Sequence, residues 1–222
     1  REVVHIFCTS EDINNLAYAL TIKAATEQVW LPSIRALLDR LRGLAEAGAA
    51  VPMLAHTHGQ PATPVTIGKE MAVFAHRLSR QIKRVEATQY LGKINGATGT
   101  WAAHVVSVPG ADWPTLARSF VEGLGLTWNP LTTQIESHDW QAELYADVAR
   151  AGRIAHNLAT DAWTYISMDY FHQNLAAQGS TGSSTMPHKV NPIRFENAEE
   201  NLEVSNALLD SLAATLVTSR MQ

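Results

Sequence analysis

The chain has 222 residues, 46% of them hydrophobic and 17% charged, with a net charge of −4. That length suffices for a buried core, and the slight acidity gives no global electrostatic footprint for nucleic acid. A single cysteine, Cys8, excludes an internal disulfide framework and fits a reducing compartment, and no apolar run is long enough to cross a bilayer. No signal peptide opens the chain. It starts mid-pattern, at "REVVHIFCTS" without a Met, so a fragment of a longer protein is expected.

In chain order, Val3–Phe7 is the one strand-like run. Thr9 with Asp12 forms a capping-box pattern and predicts a helix from near Ser10. Its apolar face, Ile13, Leu16, Ala17, Leu20 and Ala24, follows helical steps and continues through Leu31, Ile34, Leu38 and Leu41. Pro32 predicts a kink or a restart, and Gly48 with Pro52 an end. A second helix is predicted from about Val65 to Leu91, with Met71, Phe74, Leu78, Ile82 and Val85 inward. "GKINGATGT" (Gly92 to Thr100) breaks the pattern. Asp112-Trp113-Pro114 opens a short helix that ends at Gly123 or Gly125. A third long helix is predicted from near His138 to Phe171, and a fourth from Pro192 to about Val217. The fold class is all-α, a long-helix bundle in one domain over residues 1–222. Several helices carry Ala and Leu beyond one stripe, which predicts a homo-oligomer.

Five polar patches interrupt the helices: "TSEDINN" (Thr9 to Asn15), "HTHGQPATP" (His56 to Pro64), "LGKINGATG" (Leu91 to Gly99), "TTQIESHD" (Thr132 to Asp139) and "STGSSTMPHKVNP" (Ser180 to Pro192). His58 can serve as acid or base near neutral pH, since an imidazole titrates at about 6.5. Taken alone it reads more readily as a loop His capping a neighbouring helix. His56 and His58 lack the further ligands of a zinc site, so no metal is expected. The last patch is rich in glycine and hydroxyl groups, and Asn191-Pro192 reads as an N-cap followed by N1. A helix start beside Lys189 suits a carboxylate or phosphate. Ser183 or Ser184 is a candidate nucleophile or base. Without a GxSxG elbow, a hydrolase triad is disfavoured.

"GSSTMPHKVNP" (Gly182 to Pro192) resembles the signature loop of the fumarase/aspartase superfamily, G-S-x-x-M-P-x-K-x-N, complete from Gly182 to Asn191. "THGQPATP" with "GKE" (Gly68 to Glu70), "TSEDINN", "LGKINGA" and "TTQIE" resemble the branch of that family that cleaves adenylosuccinate. The resemblance implies the central helical domain, with the family's N-terminal and C-terminal domains absent. It also implies cleavage of adenylosuccinate to AMP and fumarate, and of the related succinyl-carboxamide ribotide. Ser183 then matches the general base, His58 the general acid, and Glu196 the carboxylate that pairs with that His. Lys189 and Asn191 match groups that bind the substrate carboxylate. Thr9, Ser10, Gln134, Ser184 and Asn197 match further substrate contacts. The resemblance implies a cytoplasmic homotetramer with shared active sites, and no cofactor, metal, nucleic acid or membrane partner. Another fumarate-releasing lyase of the superfamily is the alternative; a catalytically silent helical scaffold is the other. Residues 1–222 alone are expected to show little or no activity.

Overall fold

The computed structural model describes residues 2–174, 185–186 and 188–222. Ser183 and Ser184 lie outside the described residues. The described elements are a 3-10 turn at Glu2–His5, α1 (Ser10–Ala25), a π-helical turn (Thr26–Trp30) and α2 (Leu31–Ala47). They continue with β1 (Pro52–Thr57), β2 (Gln60–Thr66), α3 (Ile67–Glu86), β3 (Leu91–Gly92) and α4 (Ala102–Ser107). The last four are α5 (Trp113–Gly123), β4 (Thr127–Trp128), α6 (Asp139–Ser167) and α7 (Ile193–Thr215). The chain is mostly helical, as its periodicity predicts, and none of the helices among the described residues is long and apolar enough to cross a membrane.

Several boundaries differ from expectation. The run Val3–Phe7 forms a 3-10 turn followed by positive φ at Phe7, not a strand. The first helix is interrupted but not broken: a π turn widens the coil at Thr26–Trp30, the backbone stays right-handed helical into α2 at Leu31, and Pro32, which has no N–H to give, follows directly on this wider turn. The second helix is shorter at both ends than predicted, Ile67–Glu86. Its expected first residues, Val65 and Thr66, belong to β2.

The chain divides into two units. The first holds Arg1–Leu37, Ile82–Ala146 and Ser211–Gln222. Leu16, Ala19, Val85, Val121, Leu126 and Leu144 are among its buried apolar residues. Leu91 and Gly92 pair in parallel with Thr127 and Trp128, which ties the segment after α3 to the end of α5. Gly92 is closely packed: a Cβ there would lie 2.6 Å from Leu16 Cδ2, so that side chain would have to shift.

His104 is buried in this unit against Phe7 and Trp113, with ring centroids 5.2 and 4.8 Å away. Desolvation pushes its pKa below 6.5, opposed by the Asp12 charge. The unfolded chain therefore takes up a proton on acidification before the folded chain does, and stability falls as pH drops below about 6.5. The melting temperature should drop between about pH 7.5 and about pH 5.5, and His104→Phe should shrink that drop. An undiminished drop in the variant would remove His104 from the account.

The second unit holds Leu38–Gln81 and Asp147–Asp210. Leu41, Phe74, Leu78, Ala149, Ala151 and Ile154 are buried in it. Two glycines let the chain cross itself between α2 and α3. A Cβ on Gly68 would lie 2.3 Å from Ala45 O, and one on Gly48 2.8 Å from Gly68 N. The Gly68 N–H donates to Gly48 O at 2.9 Å. That crossing closes the base of the β1–β2 hairpin.

Candidate active site

In the first unit, three of the polar patches meet at the start of α1. The Asp12 carboxylate is fully buried and accepts from the Thr9 backbone N–H at 2.9 Å, the acidic half of the predicted capping box. It also accepts from Lys93 Nζ at 2.9 Å, from Asn95 N at 3.0 Å and from Gly96 N at 3.1 Å. Asn15 adds a reciprocal pair with the Lys93 backbone, at 2.8 and 3.0 Å. Thus "TSEDINN" and "LGKINGATG" are bound to one another by side chains that never reach solvent. Removing one partner of such a buried pair costs about 3–5 kcal/mol, against roughly 0.2–1 kcal/mol for an exposed pair such as Arg118–Glu122.

The third patch joins through Asn95, whose Nδ2 donates to Thr132 Oγ1 at 2.7 Å. A Cβ on Gly99 would stand 2.1 Å from Thr132 O, so only glycine permits this approach. Beyond Thr132, Gln134 Nε2 donates to Thr9 Oγ1 at 3.4 Å, so two expected substrate contacts sit side by side. Ser10, the residue after Thr9, is exposed at the first position of α1. Glu136 holds the rest of the patch: buried, it accepts from Asn129 Nδ2, His138 N and Trp140 Nε1 at 2.9 to 3.1 Å.

In the second unit, β1 and β2 pair antiparallel, with Thr57 opposite Gln60. The turn between them is His58-Gly59, at φ +54° and +71°. Positive φ at both positions is the pattern of a type I′ hairpin turn, and histidine tolerates it better than most residues. His58 is therefore exposed at a hairpin tip, with no hydrogen-bond partner among the described residues. His56, two residues earlier on β1, packs edge-on to Tyr170 with ring centroids 5.7 Å apart. Pro61 and Pro64 fit β2 because a two-stranded sheet has only edges.

Polar pairs run down α6 and α7 in this unit with antiparallel numbering. Arg153 meets Asp210, His156 Nε2 meets Glu203 at 3.2 Å, and Thr160 Oγ1 donates to Glu199 at 2.5 Å. The last pair is Trp163 Nε1 donating to Glu196 Oε1 at 3.0 Å. The indole thus orients Glu196, and no Glu196–His58 hydrogen bond is present among the described residues. Lys189 is exposed, with its N–H on Met186 O at 2.9 Å. Asn191 and Asn197 are exposed as well. The helix starts one residue later than Asn191-Pro192 suggests: Pro192 O accepts from Phe195 N at 3.0 Å, and Ile193 is the first helical residue.

A family model described as lyase matches residues 1–204. The chain belongs to this lyase family. Curated lyases named adenylosuccinate lyase resemble it throughout. That of Escherichia coli (strain K12) is 52% identical over 221 residues, covering 100% of this chain and 48% of the relative. That of Vibrio cholerae (serotype O1) is 50% identical over 222 residues, again covering 100% of this chain and 48% of the relative. That of Legionella pneumophila (strain Corby) is 49% identical over 219 residues, covering 99% of this chain and 48% of the relative. The chain thus spans about half the length of these lyases. The mostly helical architecture agrees with membership of the fumarase/aspartase superfamily.

Sequence reasoning did not single out Asp12, Lys93, Glu136 or Trp163. In the sequence Asp12 reads only as half of a capping box, and it and Lys93 lie in two separate polar patches whose pairing only the fold shows. Trp163 carried no signal, because its indole matters only through the Glu196 that faces it.

Proposed function

We propose that the protein carrying this chain cleaves adenylosuccinate to AMP and fumarate, and the succinyl-carboxamide ribotide to its amine product and fumarate. The observation that carries this reading is half identity, over the whole chain, to adenylosuccinate lyases. Ser183 takes the Cβ proton of the succinyl group, and the electron pair moves toward the neighbouring carboxylate. Lys189 and Asn191 bind that carboxylate as it gains charge, which stabilises the transition state more than the substrate. His58 gives a proton to the departing nitrogen, and Glu196 holds the imidazolium by charge. Thr9, Ser10, Gln134, Ser184 and Asn197 bind the rest of the substrate. No cofactor is used.

Two features support a homo-oligomer with shared sites, which the family resemblance makes a cytoplasmic homotetramer. His58 is exposed at a hairpin tip, with no hydrogen-bond partner among the described residues. On α7, Val204 and Leu208, one turn apart, are 64% and 62% exposed. Such an apolar stripe on a helix is stabilised by packing against another chain.

Lys189→Met should lower kcat by about 10²-fold and also raise KM, as loss of an anion-stabilising group does. An unchanged rate at saturating substrate would show that its charge plays no part in the transition state. The substrate assignment is tested by offering the full-length protein adenylosuccinate, argininosuccinate and aspartate in turn. Fumarate from adenylosuccinate is expected. Fumarate from either of the others alone would assign a different lyase of the superfamily.

A further inference from the structure

We infer that the buried Asp12–Lys93 pair is a positioning device for the substrate-binding groups at the start of α1. The inference rests on the proposed roles of Thr9, Ser10 and Gln134. Neither charge touches substrate, since both side chains are 0% exposed. They act through what they hold. Asp12 fixes the Thr9 N–H, and through Asn95 N and Gly96 N it fixes the glycine loop on α1. Asn95 then holds Thr132, two residues before Gln134, and Gln134 returns to Thr9 Oγ1. The result is a closed ring of contacts among segments more than 35 residues apart, since the Asn95–Thr132 link alone spans 37. A pair of apolar side chains would fill the same space and avoid the desolvation of two charges. It would supply no acceptor for three backbone N–H groups. Those N–H groups set the positions of Thr9 and, through Asn95 and Thr132, of Gln134. This also accounts for "GKINGA": its lysine is an internal brace and not a ligand for the substrate.

The test uses the full-length protein and the double variant Asp12→Asn with Lys93→Met, which leaves neither charge unpaired. A cooperative melt is expected, with KM for adenylosuccinate raised about tenfold and kcat within about threefold of the parent, the signature of lost ground-state positioning. A merely structural role would lower kcat with the folded fraction and leave KM alone, and that result overturns the inference. If the double variant does not fold, Asn95→Ala removes only the side-chain link to Thr132. It should raise KM about threefold, and an unchanged KM overturns the inference. If the parent protein does not turn over adenylosuccinate, the proposed function fails separately. Hydrogen exchange then decides the positioning role: amides over 9–12 and 129–136 should exchange at least about tenfold faster in the variant, and unchanged protection overturns it.

Discussion

Replacing Ser183 with alanine should lower turnover of adenylosuccinate by about 10²–10⁴-fold, the usual contribution of a positioned general base. The loss should fall on kcat, because a proton acceptor acts in the transition state and adds little to binding. Ser184→Ala, which removes a substrate contact, should fall mainly on KM. The assignment of the base to Ser183 over its neighbour rests on its place directly after Gly182 in the signature pattern. Both variants should melt at the temperature of the parent. Equal, large losses of kcat in both would mean that the two hydroxyls act as a unit. A normal kcat in Ser183→Ala would remove it as the base.

Removal of the His58 imidazole should cost a comparable factor, about 10²–10⁴ in kcat. The hairpin geometry shapes the choice of variant. His58 has φ +54°, where a residue with a Cβ is strained by roughly 1–2 kcal/mol unless its side chain suits the left-handed region. Asparagine suits it, so His58→Asn keeps the turn and removes the acid, whereas His58→Ala strains the turn as well. If chemistry is the role, both variants lose kcat alike and remain folded. Recovery of turnover in His58→Asn alone would mean that the residue serves the turn. The two catalytic losses can also be separated. Loss of the base should abolish exchange of the Cβ proton with solvent deuterium, while loss of the acid should raise the ratio of exchange to turnover.

The long helices were legible because Leu16, Leu38, Phe74, Leu78 and Val85 recur at helical spacing and are buried in the structure. The hairpin was not. "PMLAHT" and "QPATPVT" contain three prolines and no regular alternation, so the stretch reads as loop. The usable signal was His58-Gly59, two residues that accept positive φ, standing where a two-residue hairpin needs them. The Val3–Phe7 run misled in the other direction: β-branched residues favour strands only where a partner strand exists. For the site, Thr9 and Gln134 were legible as members of two chain motifs, and the two do come together. What sequence spacing could not supply was the order of support. Asp12 and Lys93 lie 81 residues apart, and only the fold shows that one braces the other. The same holds for Trp163 and Glu196, 33 residues apart on two helices.

The direct measurement is a single progress curve of the full-length protein with adenylosuccinate, in which AMP and fumarate are quantified together. Equal molar amounts of both products, formed over many turnovers and lost in Ser183→Ala, are predicted. Unchanged adenylosuccinate after prolonged incubation of a folded protein would contradict the account, as would AMP formed without fumarate.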